Sequence, residues 1–123
     1  MVKVDGRTIW MTRGDTLALQ VNLTKDGETY IPVEGDNMVF SVKSKKMSYA
    51  KKAFVDDEPL LTVNIPYDTR LLILQDDDTK NLDFGDYFYE IAIIFSDGSV
   101  DTFIPCIDAD GAESILHILP EVL

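Results

Sequence analysis

The chain has 123 residues, 22 of them Asp or Glu against 11 Lys or Arg, with one His and one Cys. That is the length of one ordinary domain, and the 46% hydrophobic content supplies a core without help from disulfides or metals. A net charge of −11 repels a phosphate backbone and excludes nucleic acid as an expected partner. A single His and a single Cys leave too little for a transition-metal site, a Ser/His/Asp triad or a disulfide framework.

A mean hydropathy of zero fits a globular chain, neither disordered by composition nor membrane-embedded. No stretch approaches the roughly 18 apolar residues of a spanning helix, and the start MVKVDGRTIW lacks the apolar run of a signal peptide. The expectation is one domain over residues 1–123, made in a bacterial cytoplasm, with no membrane partner and no cofactor. Charge is unevenly spread. Residues 1–52 carry nine Lys/Arg and six Asp/Glu, whereas residues 53–123 carry two and sixteen. No linker-like composition separates the halves, so they read as two regions of one surface.

In chain order, a strand ends near Thr12 and the tripeptide Arg13-Gly14-Asp15 reads as the turn before the next. Leu17, Leu19, Val21 and Leu23 share one parity, the alternation of a half-buried strand. The turn at Lys25 to Gly27 contains the Asp-Gly pair of tight hairpins and returns the chain through Thr29 to Val33. Met38, Phe40 and Val42 give a third strand after Glu34-Gly35-Asp36. Leu61, Val63 and Ile65 give a fourth, which Pro66 ends because proline has no N–H for a ladder. Leu72 and Leu74 follow within RLLIL.

The run DDDTKNL reads as one helical turn, with Asp77 or Asp78 accepting from the free amides at its start. The longest strand comes next. Tyr87, Tyr89, Ile91, Ile93 and Phe95 form one face, and Phe88, Ala92 and Ile94 make the other nearly as apolar, as in a central strand. Ser96 to Ser99 is a hairpin turn leading back through Val100, Thr102, Ile104 and Cys106. A last strand runs from Ser114 to Leu119. About seven to nine short strands with one helical turn predict an all-β fold, an antiparallel sandwich. Leu82, Gly85 and Tyr87 have the spacing of a tyrosine corner, which specifies the immunoglobulin-like form.

Candidate functional residues are few. Asp108-Ala109-Asp110-Gly111 opens like a calcium loop but then has Ala112, Glu113 and Leu119 where an EF-hand needs an oxygen ligand, Gly and Glu, so it reads as a turn. Asp56 to Glu58 and Asp76 to Asp78 read as loop and cap residues. His117 belongs on a partly buried strand face and Cys106 in the core; neither has partners for catalysis or metal binding. The distinctive stretch is SKKMSYAKKAF. Lys43, Lys45, Lys46, Met47, Tyr49, Lys51, Lys52 and Phe54 combine positive charge with adaptable apolar side chains, the composition of a docking loop.

The order MTRGDTLALQV, DGETYIPVEGDNMVFSVK, DDTKNLDFGDYFYEI, DGSVDTFI resembles the small β-sandwich modules of tailed phages and prophages of Gram-positive bacteria. It is most similar to the N-terminal domain of baseplate upper proteins. The shared features are Gly14-Asp15-Thr16 before an apolar strand, Val39 through Lys43, Gly85 through Ile91, and the Asp97-Gly98 hairpin, over roughly residues 11 to 104. The resemblance implies a non-catalytic accessory protein that ends in the virion, docked on other structural proteins of a tail, baseplate or capsid. A homo-oligomer through the basic loop and the acidic face is a further expectation. The alternative is a carbohydrate- or cell-wall-binding module that uses Trp10, Tyr30, Tyr49 and Tyr67 as stacking platforms.

Overall fold

The computed structural model describes residues 1–45 and 59–120, together with the backbone of residues 47–48 and 53–54. Thirteen strand segments and one short helix make up these residues. They are β1 (Val2–Asp5), β2 (Thr8–Thr12), β3 (Leu17–Gln20), β4 (Leu23–Lys25), β5 (Glu28–Tyr30), β6 (Asn37–Ser44), β7 (Met47–Ser48), β8 (Ala53–Phe54), β9 (Leu61–Ile65), β10 (Leu71–Leu74), α1 (Asp76–Lys80), β11 (Gly85–Ile94), β12 (Val100–Ile104) and β13 (Ile115–Leu119).

A seven-stranded sheet runs in the order β1-β2-β13-β11-β6-β9, with β12 also paired to β11. β11 is its centre. One edge of β11 pairs with β6 from Tyr87 to Ile94. The other edge is divided: β13 takes Gly85 to Phe88 and β12 takes Ile91 to Ile94. β12 and β13 therefore behave as one strand interrupted by an excursion over residues 105–114. The excursion starts at Pro105, which cannot donate to the ladder. The strand expected to continue to Cys106 ends at Ile104 for this reason.

Facing this sheet is a second layer of two strands, β3 and β10. Ile9, Met11, Met38, Phe40, Ile91, Ile93, Leu116 and Ile118 on the large sheet, and Leu17, Leu72 and Leu74 on the small one, belong to one buried cluster. The alternation in the sequence thus marks the inner face correctly. On the outer face, Phe88, Cys106 and Ile115 form a satellite cluster beside the excursion.

The structure departs from the expected pattern in three further places. The strand expected from Leu17 to Thr24 is two strands, because after the Val21 amide donates to Arg70 O at 2.8 Å the chain leaves β10 and pairs with β5 instead. The sheet is not wholly antiparallel. β2 and β13 are remote in sequence, so no hairpin constrains their direction, and they pair in parallel from Thr8↔Ile115 to Thr12↔Leu119. The hairpin of β1 on β2, turning through Gly6 at φ 58°, is an element the alternation argument does not supply. The β4–β5 hairpin matches its Asp-Gly signal, since Asp26 and Gly27 have φ 53° and 80°, the two positive angles of a type I′ turn.

Phe40 is fully buried and packs against Tyr89, with ring centroids 5.4 Å apart. Phe40→Ala is expected to cost about 3–5 kcal/mol of unfolding free energy, read from the denaturant midpoint with the slope unchanged.

Candidate functional site

The end of the sheet where β6 stops and β11 starts is built around a tight corner. α1 is closed at its start by the Asp78 carboxylate, which accepts from the Gln75 amide at 2.7 Å. Of the two acids expected to serve α1, Asp78 performs the cap while Asp77 points to solvent, 87% exposed. Thr79 is fully buried and its Oγ1 accepts the Gly14 amide at 2.9 Å. That bond pins the Arg13-Gly14-Asp15 turn to the helix. Arg13 lies over the Phe84 ring at 4.2 Å and Asp15 is ion-paired with the terminal amino group of Met1. The tripeptide is thereby a structural turn. Leu82 is buried, Gly85 has φ 134°, and the Tyr87 hydroxyl donates to Asp83 O at 2.7 Å. Partial burial, then the Asp83 charge, raises the Tyr87 pKa above its ordinary value, so the hydroxyl keeps its proton as a donor.

Beside this corner is a shallow cleft of about 530 Å³, lined by Ser44, Lys45, Leu60, Asp83, Phe84, Asp86 and Tyr87. Leu60 and Phe84 are 48% and 49% exposed. Charges of both signs therefore surround apolar side chains in one concavity. A row of side chains on the outer face leads away from it. Register places Asp86 opposite His117, His117 opposite Trp10, and Trp10 opposite Lys3. The Asp86 carboxylate is hydrogen-bonded to His117 Nδ1. The imidazole stacks on Trp10 at 5.3 Å and 14°, and Lys3 Nζ sits 5.0 Å from the indole centroid. Four strands are cross-linked by this row. Sequence reasoning places His117 on a strand face but misses the row, because it exists only through the parallel β2–β13 register.

The residues proposed from sequence as a docking loop separate. Lys43 lies within β6, where its side chain is 20% exposed and ion-paired with Glu90 at 3.0 Å. Lys45 is exposed at the cleft, its ammonium 5.3 Å from the Phe88 ring. Lys46, Tyr49, Lys51 and Lys52 lie outside the described residues, as do Asp56, Asp57 and Glu58. Met47 and Phe54 are opposite one another in the β7–β8 pair, and their side chains also lie outside the described set.

Folding also pairs charges that are separate in the sequence. Arg7 meets Asp108 at 3.1 Å, Lys25 meets Asp101 at 3.1 Å, and Lys43 meets Glu90. Each joins the basic portion to the acidic one. Aromatic residues are similarly engaged. Tyr30 packs against Phe95 and Phe103 and donates to Asp36; Trp10 belongs to the row above; Tyr67 is 37% exposed; Tyr49 lies outside the described residues.

Asp108 organises the excursion as a turn. Its Oδ1 accepts from the Asp110 and Ala112 amides, both at 2.9 Å, and its Oδ2 binds Arg7. Among the described residues no group of three or more His, Cys, Asp or Glu is placed to hold a metal ion. Burial, reinforced by the Glu90 charge, pushes the Cys106 thiol up to about 11, so it is a poor nucleophile at neutral pH. No helix among the described residues is long and apolar enough to cross a membrane. No known protein family, curated protein or solved structure matches the chain.

The Ala112 amide, helped by Asp110 and Arg7, lowers the Asp108 pKa below 3.8. A depressed folded-state value means stabilisation that is present above the unfolded pKa and lost as the pH falls through the folded one. Asp108→Asn is expected to be less stable than wild type at pH 7, with the gap closing as the pH drops below the ordinary aspartate range. Denaturant midpoints measured across pH 7 to 2 check this.

Proposed function

We propose that this chain is a non-catalytic structural accessory protein of a tailed phage or prophage. In this reading it is an immunoglobulin-like β-sandwich that docks on a tail, baseplate or capsid assembly. The immunoglobulin-like assignment draws support from the parallel β2–β13 pair beside β11, the β3–β10 pair opposite, and the hydroxyl of Tyr87 closed on Asp83. The four segments that carry the phage resemblance are the β2–β3 turn, β6, β11 and the β11–β12 turn, and of these β6 and β11 pair with one another in the large sheet.

The observation that carries the docking reading is the cleft at Lys45. Exposed apolar side chains ringed by Lys45, Asp83 and Asp86 are the composition of a protein contact, an apolar centre with a polar rim. In the sequence, Lys45 is followed by Lys46, Met47, Tyr49, Lys51, Lys52 and Phe54. The partner is another structural protein of the particle, with a second copy of this chain as the other possibility. The carbohydrate alternative has less support, since Trp10 and Tyr30 already pack on neighbouring side chains.

The test is co-purification. Particles induced from the encoding strain and banded on a density gradient are expected to carry the protein, and reversing Lys45, Lys46, Lys51 and Lys52 to Glu should remove it from the band. Binding should also weaken as salt rises, because rim charges are screened. A protein absent from the particles and strictly monomeric at low salt would overturn the proposal.

A further inference from the structure

The large sheet ends at β1, which pairs with β2 and with no other strand among the described residues. The turn at Gly6 and Arg7 makes Asp5 and Thr8 a hydrogen-bonded pair, and the Thr12 amide, donating to Met1 O at 3.0 Å, has the same phase. Lys3 and Asp5 therefore spend their backbone N–H and C=O groups on β2. Val2 and Val4 direct theirs outward, along an open edge. Their side chains share the inward face of Met11 and Ile9, yet they are 39% and 46% exposed. Lys3 and Asp5 stand on the outer face, where the Lys3 ammonium lies over Trp10 of β2 and so points away from the edge.

A two-fold axis normal to the sheet lays a second β1 antiparallel against the first. Hydrogen-bonded pairs then form only between residues whose backbone groups face outward on both strands, so the register moves in steps. With Val4 on the axis, Lys3 faces the partner's Asp5 on both sides of it, in the close, non-hydrogen-bonded pairing. One step in either direction sets Lys3 against the partner's Lys3, or Asp5 against the partner's Asp5, and like charges directly opposite are destabilising. The residues of the edge thus select one register. In that register Val2 faces the partner's Gly6, where a side chain would meet nothing within 4 Å. Gly6 also lines a cleft of about 240 Å³ with Val4, Ile9, Leu19 and Ile104, so the partner's Val2 reaches an apolar margin. β3 and β9, LALQ and LTVNI, carry no charge and offer no such selection.

The geometry points to β1 as a self-complementary edge through which two copies of this chain join their large sheets about Val4. The overall charge of −11 does not oppose this, because residues 1–12 contain Lys3, Asp5 and Arg7 as their only charged side chains. Exposed charges farther than about 8 Å apart are largely screened at physiological salt. Two strands of four residues bury little area, which places the contact at the weak end of specific interfaces and makes it concentration-dependent. No residue of β1 lines the Lys45 cleft, and the proposal does not rest on the phage reading.

Sedimentation equilibrium of the full chain at concentrations up to about 1 mM is expected to show a monomer–dimer equilibrium. Lys3→Asp and Asp5→Lys are each expected to weaken self-association by about tenfold or more. An equimolar mixture of the two variants is expected to recover it, since each then offers the charge the other lacks. Val4→Pro leaves the β1–β2 ladder intact, because the Val4 N–H takes no part in it, and is expected to abolish the dimer by removing the donor at the axis. Amide exchange at Val4 in the wild type is expected to slow as protein concentration rises. The proposal is overturned by a wild type that stays monomeric at about 1 mM, by a dimer that Val4→Pro leaves unchanged, or by charge variants that do not associate when mixed.

Discussion

Eight consecutive residues of β11 pair with β6, and that register governs where nearly every other element is placed. It puts Tyr89, Ile91 and Ile93 on the core face and Phe88 and Glu90 on the other. A slip of one residue would exchange those sets and expose the apolar one. Because the far edge of β11 is shared between β12 and β13, the same strand also decides where the excursion leaves the sheet. Tyr89 ties the arrangement together, since its hydroxyl donates to Arg7 O at 2.8 Å. Burial raises its pKa to about 12, which keeps that donor protonated throughout the neutral range.

Folding changes the meaning of the charge asymmetry. Read along the chain, a mildly basic portion precedes a strongly acidic one, which suggests two complementary surfaces. In three dimensions Arg7, Lys25 and Lys43 each cross to an acid from the other portion. Lys80 is held near Asp76 and Asp77 on its own helix at 3.7 and 3.6 Å. Such pairs each contribute little when exposed. Lys43 and Glu90 are the better-shielded pair, and they sit beside Cys106 on the outer face. Arg7, Lys25 and Lys43 are thus taken up within the fold, whereas Lys45 is exposed at the cleft beside Phe84.

Local chemistry was legible in the residues, and pairing across long separations was not. The Asp-Gly turn at Asp26 and Gly27, the end of β9 at Pro66, the single helical turn after Gln75 and the two-faced strand at Tyr87 to Ile94 all follow from propensity and parity. These features are set by neighbours in the chain. The parallel β2–β13 pair depends on residues more than a hundred positions apart, and the Lys3, Trp10, His117, Asp86 row depends on that pair. The division of Leu17 to Thr24 was hidden for a related reason, since alternation persists through Val21 while the pairing partner changes. Of the proposed docking residues, Lys43 is captured by a diagonal neighbour, Glu90, that no spacing rule within one strand would identify.

The parallel contact between β2 and β13 also has a consequence for biosynthesis. β2 is synthesised more than a hundred residues before β13, so Ile9 and Met11 cannot reach their places beside Leu116 and Ile118 until β13 has emerged. The sheet must therefore close in an order unlike that of translation, with the β6–β11 ladder forming around a missing side. Long loop closures of this kind slow folding and prolong the exposure of apolar strands. The acidic character of the chain then acquires a second role: it keeps nascent copies apart during the interval in which their unpaired edges are most vulnerable.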